Sequence, residues 1–230
     1  MINNYDDFIA QLLNAGFSMG AGNDEGVFAL LSHNWDNTPE DCLLQWHTGD
    51  ADTDPWVWRM RVLDERDDVA YSKFFFKKSG YITREWYPYF LAARRGGRTF
   101  DEAYADGTMS QYAKRIYHAV AENGALPLDE IKRQGGFSRD EKPKFDGALV
   151  ELQMRLYLTM CGQAQKISQN GGEYGWSSTV FCTTENFWGE DVFRQAAEID
   201  VDEAVEKIAA QVLLLNPTAE EKKIIKFIKG

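Results

Sequence analysis

Apolar residues recur every three to four positions along most of this chain, and at every second position in a few short stretches. Tyr5, Phe8, Ile9, Leu12 and Leu13 share one helical face behind the polar start Asn3-Asn4, which predicts a first helix. Gly16 to Gly26 is rich in glycine and leads into the apolar run Val27 to Leu31, and residues 32–53 read as loop around Trp35, Pro39 and Trp46. Asp54-Pro55 predicts a helix entry, the aspartate capping and the proline in the first helical position. Trp56, Met60 and Leu63 then make one apolar face, although the alternation Trp56, Trp58, Met60, Val62 fits a strand as well. Val69 to Phe76 favours a strand, Lys77-Lys78-Ser79-Gly80 a turn, and Arg84 to Arg94 a helix. Thr99-Phe100-Asp101-Glu102 is a capping box for a short helix that Gly107 ends.

The next stretch carries the densest signals. Ser110 caps a helix with Tyr112, Ala113, Ile116, Tyr117 and Val120 on one face, and Gly124 stands at its C-terminal stop. Pro127 opens a second, short helix that Gly135 and Gly136 end. Ser138-Arg139-Asp140-Glu141 is another capping box and starts a long helix over 140–160, with Phe145, Leu149, Leu152 and Leu156 as its apolar stripe. A strand-like run to Ser168, the turn Asn170-Gly171-Gly172, and Trp176 to Thr183 predict an antiparallel hairpin over 163–182. Helix, short helix, glycine turn, long helix and hairpin, in that order, are the winged helix-turn-helix arrangement. Asp200 to Leu215 and Thr218 to Lys229 predict two further helices, the last with a capping box reaching Glu221. The expected fold class is mainly α (α+β), a winged helix-turn-helix with flanking helical regions. Its divisions are 1–107 as an N-terminal helical or mixed region, 108–185 as the winged helix, and 186–230 as a helical tail.

Composition narrows the class. With 44% hydrophobic and 13% aromatic residues, the 230-residue chain holds enough apolar surface for a real core, and disorder is excluded as a global description. No stretch approaches the roughly 18 uninterrupted apolar residues of a membrane span. The N-terminus lacks the basic-then-apolar pattern of a secretory signal. Cys42, Cys161 and Cys182 are odd in number and widely spaced, so they read as free thiols in a reducing compartment, and a cytoplasmic location follows. The formal net charge of −11 argues against indiscriminate coating of nucleic acid. Its distribution is uneven: residues 110–170 carry 9 Lys/Arg against 7 Asp/Glu, between two acidic flanks.

That central excess supplies the candidate DNA contacts: Arg139, Lys142, Lys144 and Arg155 on the long helix, and Lys166 on the hairpin. Winged helices lay that helix in the major groove while the wing meets the backbone. The same architecture also serves in protein docking, so both kinds of partner stay open. His47-Thr48-Gly49-Asp50-Ala51-Asp52-Thr53-Asp54 gathers metal-ligand types. Pro55 and Arg61, however, stand where a calcium loop needs glycine and glutamate, and no metal or other cofactor is expected. No serine or cysteine sits in a recognisable nucleophile motif. The tryptophans at 35, 46, 56, 58 and 86 suggest core packing and, beside it, an aromatic cleft able to take a ring. Asp50, Asp52, Trp56 and Trp86 are the candidate lining of that cleft.

The stretch from Leu149 to Trp188 resembles the winged-helix DNA glycosylases of the AlkZ type. The segments His47-Thr48-Gly49-Asp50, Asp54-Pro55-Trp56 and Trp86-Tyr87-Pro88-Tyr89-Phe90 are similar to the smaller AlkZ-related proteins, and that likeness runs end to end. The resemblance implies a DNA-docking scaffold and a place in the repair of alkylated or crosslinked purines. Glycosylases of this type position water with a Gln-x-Gln or Gln-x-Asp pair early in the chain. The only such string here is Gln163-Ala164-Gln165, between the long helix and the hairpin, so catalysis is left unassigned. DNA binding in a repair-like setting is the expected function, with excision of a damaged base as the enzymatic alternative and protein docking as the third. No sequence feature bears on oligomeric state.

Overall fold

Two antiparallel three-stranded sheets organise the computed structural model, which describes residues 2–165 and 177–230. The fold is mixed α+β and mainly helical, as the periodicities require. Helix α1 (Tyr5–Ala15) is capped by the Asn4 side chain, which accepts from the Asp7 amide, and ends at Gly16 with φ +89°. Strand β1 (Phe17–Met19) follows directly. After the long loop, α2 (Pro55–Glu65) starts where Asp54 accepts from the Trp56 amide. Its buried face is Pro55, Trp58 and Val62, not the expected Trp56, Met60 and Leu63. The cap rotates the helix so that Trp58, one turn in, meets Phe8 of α1 with ring centroids 5.2 Å apart.

Strands β2 (Val69–Phe75) and β3 (Lys78–Thr83) form a hairpin, and β1 adds to β3 to give the order β1-β3-β2. The expected turn at 77–80 is displaced. Phe76 and Lys77 make it, with φ of +51° and +63°, and β3 already begins at Lys78. Two positive φ values give a turn whose twist matches the strands, a conformation usually left to glycine or asparagine. Gly80 instead lies within β3, where a Cβ would stand 2.6 Å from the Phe75 ring and 2.7 Å from the Ser18 carbonyl. Helix α3 (Tyr87–Arg95) starts later than expected because Pro88 takes its first turn, and α4 (Phe100–Ala105) carries the Thr99–Glu102 capping box.

The second sheet is built from the central stretch. Helix α5 (Gln111–Asn123), strand β4 (Ala125–Pro127), helix α6 (Leu128–Gln134), a 3-10 turn at Arg139–Glu141, helix α7 (Lys142–Met154), and strands β5 (Leu158–Ala164) and β6 (Ser178–Thr183) follow in order. The sheet order is β4-β6-β5. The helix expected over 140–160 stops at Met154, because Leu156 turns left-handed at φ +61° and Leu158 begins the strand. Leu156 therefore leaves the stripe of Phe145, Leu149 and Leu152 and is buried in a different cluster. The expected Asn170-Gly171 turn lies outside the described residues.

Helices α8 (Thr184–Trp188), α9 (Glu190–Ala197), α10 (Val201–Leu215) and α11 (Glu221–Lys229) complete the chain. The last helix starts at Glu221 without the expected capping box, since the Thr218 hydroxyl bonds the Asn216 side chain instead. These helices pack on the first sheet and α3: Phe227 stacks on Phe75 at 3.9 Å, and Ile208, Val212 and Trp188 are buried in the same cluster. The first sheet is tied to α7 by a buried amide. The Ser72 hydroxyl and Lys73 amide of β2 donate to Gln153 Oε1 of α7 at 2.8 and 3.1 Å, while Gln153 Nε2 donates to the Leu149 carbonyl at 2.9 Å. Each such bond contributes about 1 kcal/mol, and a buried amide left without one costs more.

Candidate nucleic-acid interface and a second cavity

The corner between α6 and α7 is held by side chains from three elements. Gly135 and Gly136 end α6, and Arg115 of α5 donates to both carbonyls at 2.9 and 2.7 Å. The same guanidinium bonds Glu141 at 2.7 Å, and Glu141 accepts from the Ser138 amide at 2.9 Å to close the capping box. Arg115 and the Ser138 amide together hold the Glu141 carboxyl down to about 2. The start of α7 is thus presented on a fixed turn.

Beside that turn lies a cleft of about 350 Å³ lined by Lys132, Phe137, Ser138, Arg139, Lys142 and Phe145. Arg139 and Lys142 come from the expected set; Lys132, on α6, does not, because nothing in the sequence tells which face of a seven-residue helix meets α7. Lys132 Nζ sits 5.1 Å from the Phe145 ring centre, and no carboxylate pairs with it or with Arg139 among the described residues. Lys142 bonds Asp146 one turn on at 2.5 Å, an exposed pair of the kind that contributes little and exchanges readily.

The other expected contacts lie elsewhere. Lys144 donates to the Tyr112 hydroxyl at 3.1 Å, on the α5 side. Arg155 pairs with Glu151 at 3.2 Å and lines a separate groove of about 650 Å³ with Lys77, Gly147, Met154 and Lys229. That groove follows the outer face of α7 past the β2–β3 turn to the end of α11. Lys166 lies outside the described residues. The cations of α11 are not apparent from the charge pattern of the sequence: Lys222, Lys226 and Lys229 fall at i, i+4, i+7, a spacing hidden by the acidic balance of the surrounding segment.

The residues expected to line an aromatic cleft do not converge. Trp86 is 9% exposed and packs on Phe17 in the core, its ring over Gly16. Trp56 is 43% exposed, with the Arg59 guanidinium 3.4 Å above its ring and His47 at 4.7 Å. Asp50 closes a turn by accepting from the Asp52 and Thr53 amides, bonds that lower its carboxyl below the usual range. The Asp52 carbonyl accepts from the Tyr5 amide. None of these four lines any of the five principal clefts among the described residues. Gln163 is exposed on β5, and Gln165, just past it, accepts from the Ser177 hydroxyl. All three cysteines are free thiols, only Cys182 being fully buried. Among the described residues, no group of three or more His, Cys, Asp or Glu is placed to hold a metal ion, and no helix is long and apolar enough to cross a membrane.

A different cavity, of about 520 Å³, opens between the end of α3, the start of α4, and α8–α9. Arg95 forms part of its wall. The side chain is 7% exposed, bonds Glu185 at 2.8 Å, and lies between the Tyr157 and Phe193 rings at 4.4 and 5.2 Å. Tyr117 is near enough to feel both charges. Burial first, then the Glu185 charge, push its phenol up to about 12.

The chain belongs to the AlkZ-related family, whose model, described as "AlkZ related", matches residues 2–229. No curated protein and no solved structure matches it.

Proposed function

We propose that this member of the AlkZ-related family binds duplex DNA through a winged helix formed by residues 111–183, in a repair-like setting. The observation that carries the reading is the α6–α7 corner. There, Lys132, Arg139 and Lys142 line one cleft at the start of the helix that such a fold inserts into the major groove. The helix-strand-helix-helix-strand-strand order, closed by the β4-β6-β5 sheet, supports it. So does the cation set of Arg155, Lys77 and Lys229 along the outer face of α7. Asp146 and Glu151 on that face limit the net attraction, so affinity rests on a few phosphate contacts and not on a broad positive field.

The test is fluorescence anisotropy with a random duplex across a salt series, comparing the wild type with Lys132→Ala/Arg139→Ala/Lys142→Ala. The triple variant is expected to bind more weakly, and to flatten the slope of log affinity against log salt by about 0.9 for each phosphate it no longer neutralises. A wild type that ignores duplex even at low salt sinks the reading and leaves the corner as a protein-docking surface.

A further inference from the structure

We propose that the surface around Trp35, His47 and Trp56 docks an arginine-bearing basic segment of another protein. Charge along the chain is one half of the case. Residues 1–58 contain ten Asp and Glu and not one Lys or Arg, the first cation being Arg59. Asp54 is spent on the cap of α2 and Asp50 on its own turn. The exposed carboxylates of Asp36, Glu40, Asp41 and Asp52 have no hydrogen bond or ion pair among the described residues. Two contacts gather these stretches. The Cys42 sulfur lies 3.4 Å from His33 Nε2, and the Gln45 amide donates to the Thr53 carbonyl at 3.0 Å.

An aromatic row is the other half. Leu44 is buried in the cluster with Leu31 and Trp58 and anchors the loop, while Trp35 and Leu43 stay 55% and 63% exposed. His47 adopts a left-handed backbone at φ +62°, and its ring stands between Trp35 at 6.2 Å and Trp56 at 4.7 Å. Trp46 extends the row at 6.0 Å from Trp35. Exposed apolar patches rimmed by charge mark contact surfaces, and tryptophan is among the residues that dominate them.

Arginine suits both halves. Its guanidinium is planar and weakly hydrated, stacks on indole, and meets carboxylates through a fork of N–H groups. The chain makes the first of these contacts once itself, with Arg59 3.4 Å over the Trp56 ring centre. Trp35 carries no cation among the described residues. A single-stranded nucleic acid could stack on the same rings, but its phosphates need a positive groove and this surface is negative. A small free cation gains too little here, since neither Trp35 nor Trp56 lines any of the five principal clefts among the described residues. A peptide segment reaches several points of an open surface at once. None of these residues lines the α6–α7 corner, so the duplex contact and this one stand or fall separately.

Short labelled peptides in which glycine alternates with arginine, lysine or glutamate serve as probes, read by fluorescence anisotropy. The arginine peptide is expected to bind, the lysine peptide more weakly, and the glutamate peptide not at all. Trp35→Ala should weaken the arginine peptide about fivefold, the loss of one cation–π contact, with an unchanged melting curve because the side chain is mostly outside the packing. Trp35→Tyr should restore part of that loss. Asp36→Asn/Glu40→Gln/Asp41→Asn should weaken binding as well and flatten its salt dependence. Asp202→Asn/Glu203→Gln/Glu206→Gln removes as many charges from exposed positions of α10 and should change the affinity far less. Equal losses in the two triple variants would reduce the binding to net charge and overturn the docking site. Lysine bound as tightly as arginine, or an arginine peptide indifferent to Trp35→Ala, overturns it too. Oligothymidylate binding that Trp35→Ala abolishes would give the surface to nucleic acid, and a dimer in sedimentation that the same change dissolves would give it to a second copy. Either result defeats the proposal.

Discussion

Arg94 and Arg95 are neighbours on α3, and their side chains enter two regions of different character. Arg94 is half-buried, its guanidinium set among backbone carbonyls. Its guanidinium donates to the carbonyls of Phe74, Met154, Phe227 and Ile228 at 2.6–2.9 Å. Three of these belong to the last turns of α7 and α11, where the helix dipoles and unpaired carbonyls favour a cation. Burial pulls the group down to about 9, which still leaves it charged at neutral pH. Arg95 has one carboxylate, two rings and a cavity. The two side chains serve two different ends. One has its donors consumed by chain ends and holds the fold together. The other is oriented by a carboxylate, a backbone carbonyl and two rings, and forms part of the wall of an open cavity.

The largest effect should come from breaking the first region. Arg94→Met leaves several carbonyls buried without a donor, at about 1–3 kcal/mol each, so a loss of roughly 3–5 kcal/mol is expected in denaturant titration. A melting curve like that of the wild type would mean water replaces the guanidinium. In the second region the double change Arg95→Met/Glu185→Leu should be close to neutral for stability, because attraction and desolvation leave together. A collapse comparable to Arg94→Met would make the two arginines equivalent and erase the contrast. The smallest effect concerns the α6–α7 corner and appears only in a pH series. The Glu141 carboxyl, held at about 2 against an ordinary 4.5, contributes stability that is present above pH 4.5 and lost as pH falls toward 2. Glu141→Gln should therefore melt below the wild type at neutral pH, with the gap closing across that window. A gap independent of pH would assign the loss to packing and not to charge.

Most capping signals were legible, the box expected at Thr218–Glu221 being the exception. The capping boxes at Thr99 and Ser138 and the Asp54-Pro55 entry all stand where the sequence puts them, since each is a bond between near neighbours. Where a longer-range contact competes, the local reading fails. Phe76 and Lys77 hold a left-handed turn against their own preference, because Phe76 then lies against Phe227 and the strands pair in register. Leu156 leaves its helical stripe because β5 must start at Leu158 to meet Thr183.

The candidate sites divide in the same way. Arg139 and Lys142 were readable as basic residues behind a capping box on the starting turn of a helix. Lys132 was not, nor were Lys77 and Lys229, whose placement beside α7 depends on how separate elements pack. Trp86, a candidate pocket residue by type, is core because Gly16 leaves room for its ring. From the sequence alone came most element types, the capped starts of α1, α2, α4 and α5, the mainly helical class and the one basic segment in an acidic chain. The tertiary structure alone decided that Gln153 bonds Ser72 across 81 positions, and that Arg95 meets Glu185 beside an open cavity. The reason is physical: capping and periodicity are settled within a turn or two of chain. Pairing of distant charges and the emptiness of a cavity depend on loop closure and packing, which no window of sequence contains.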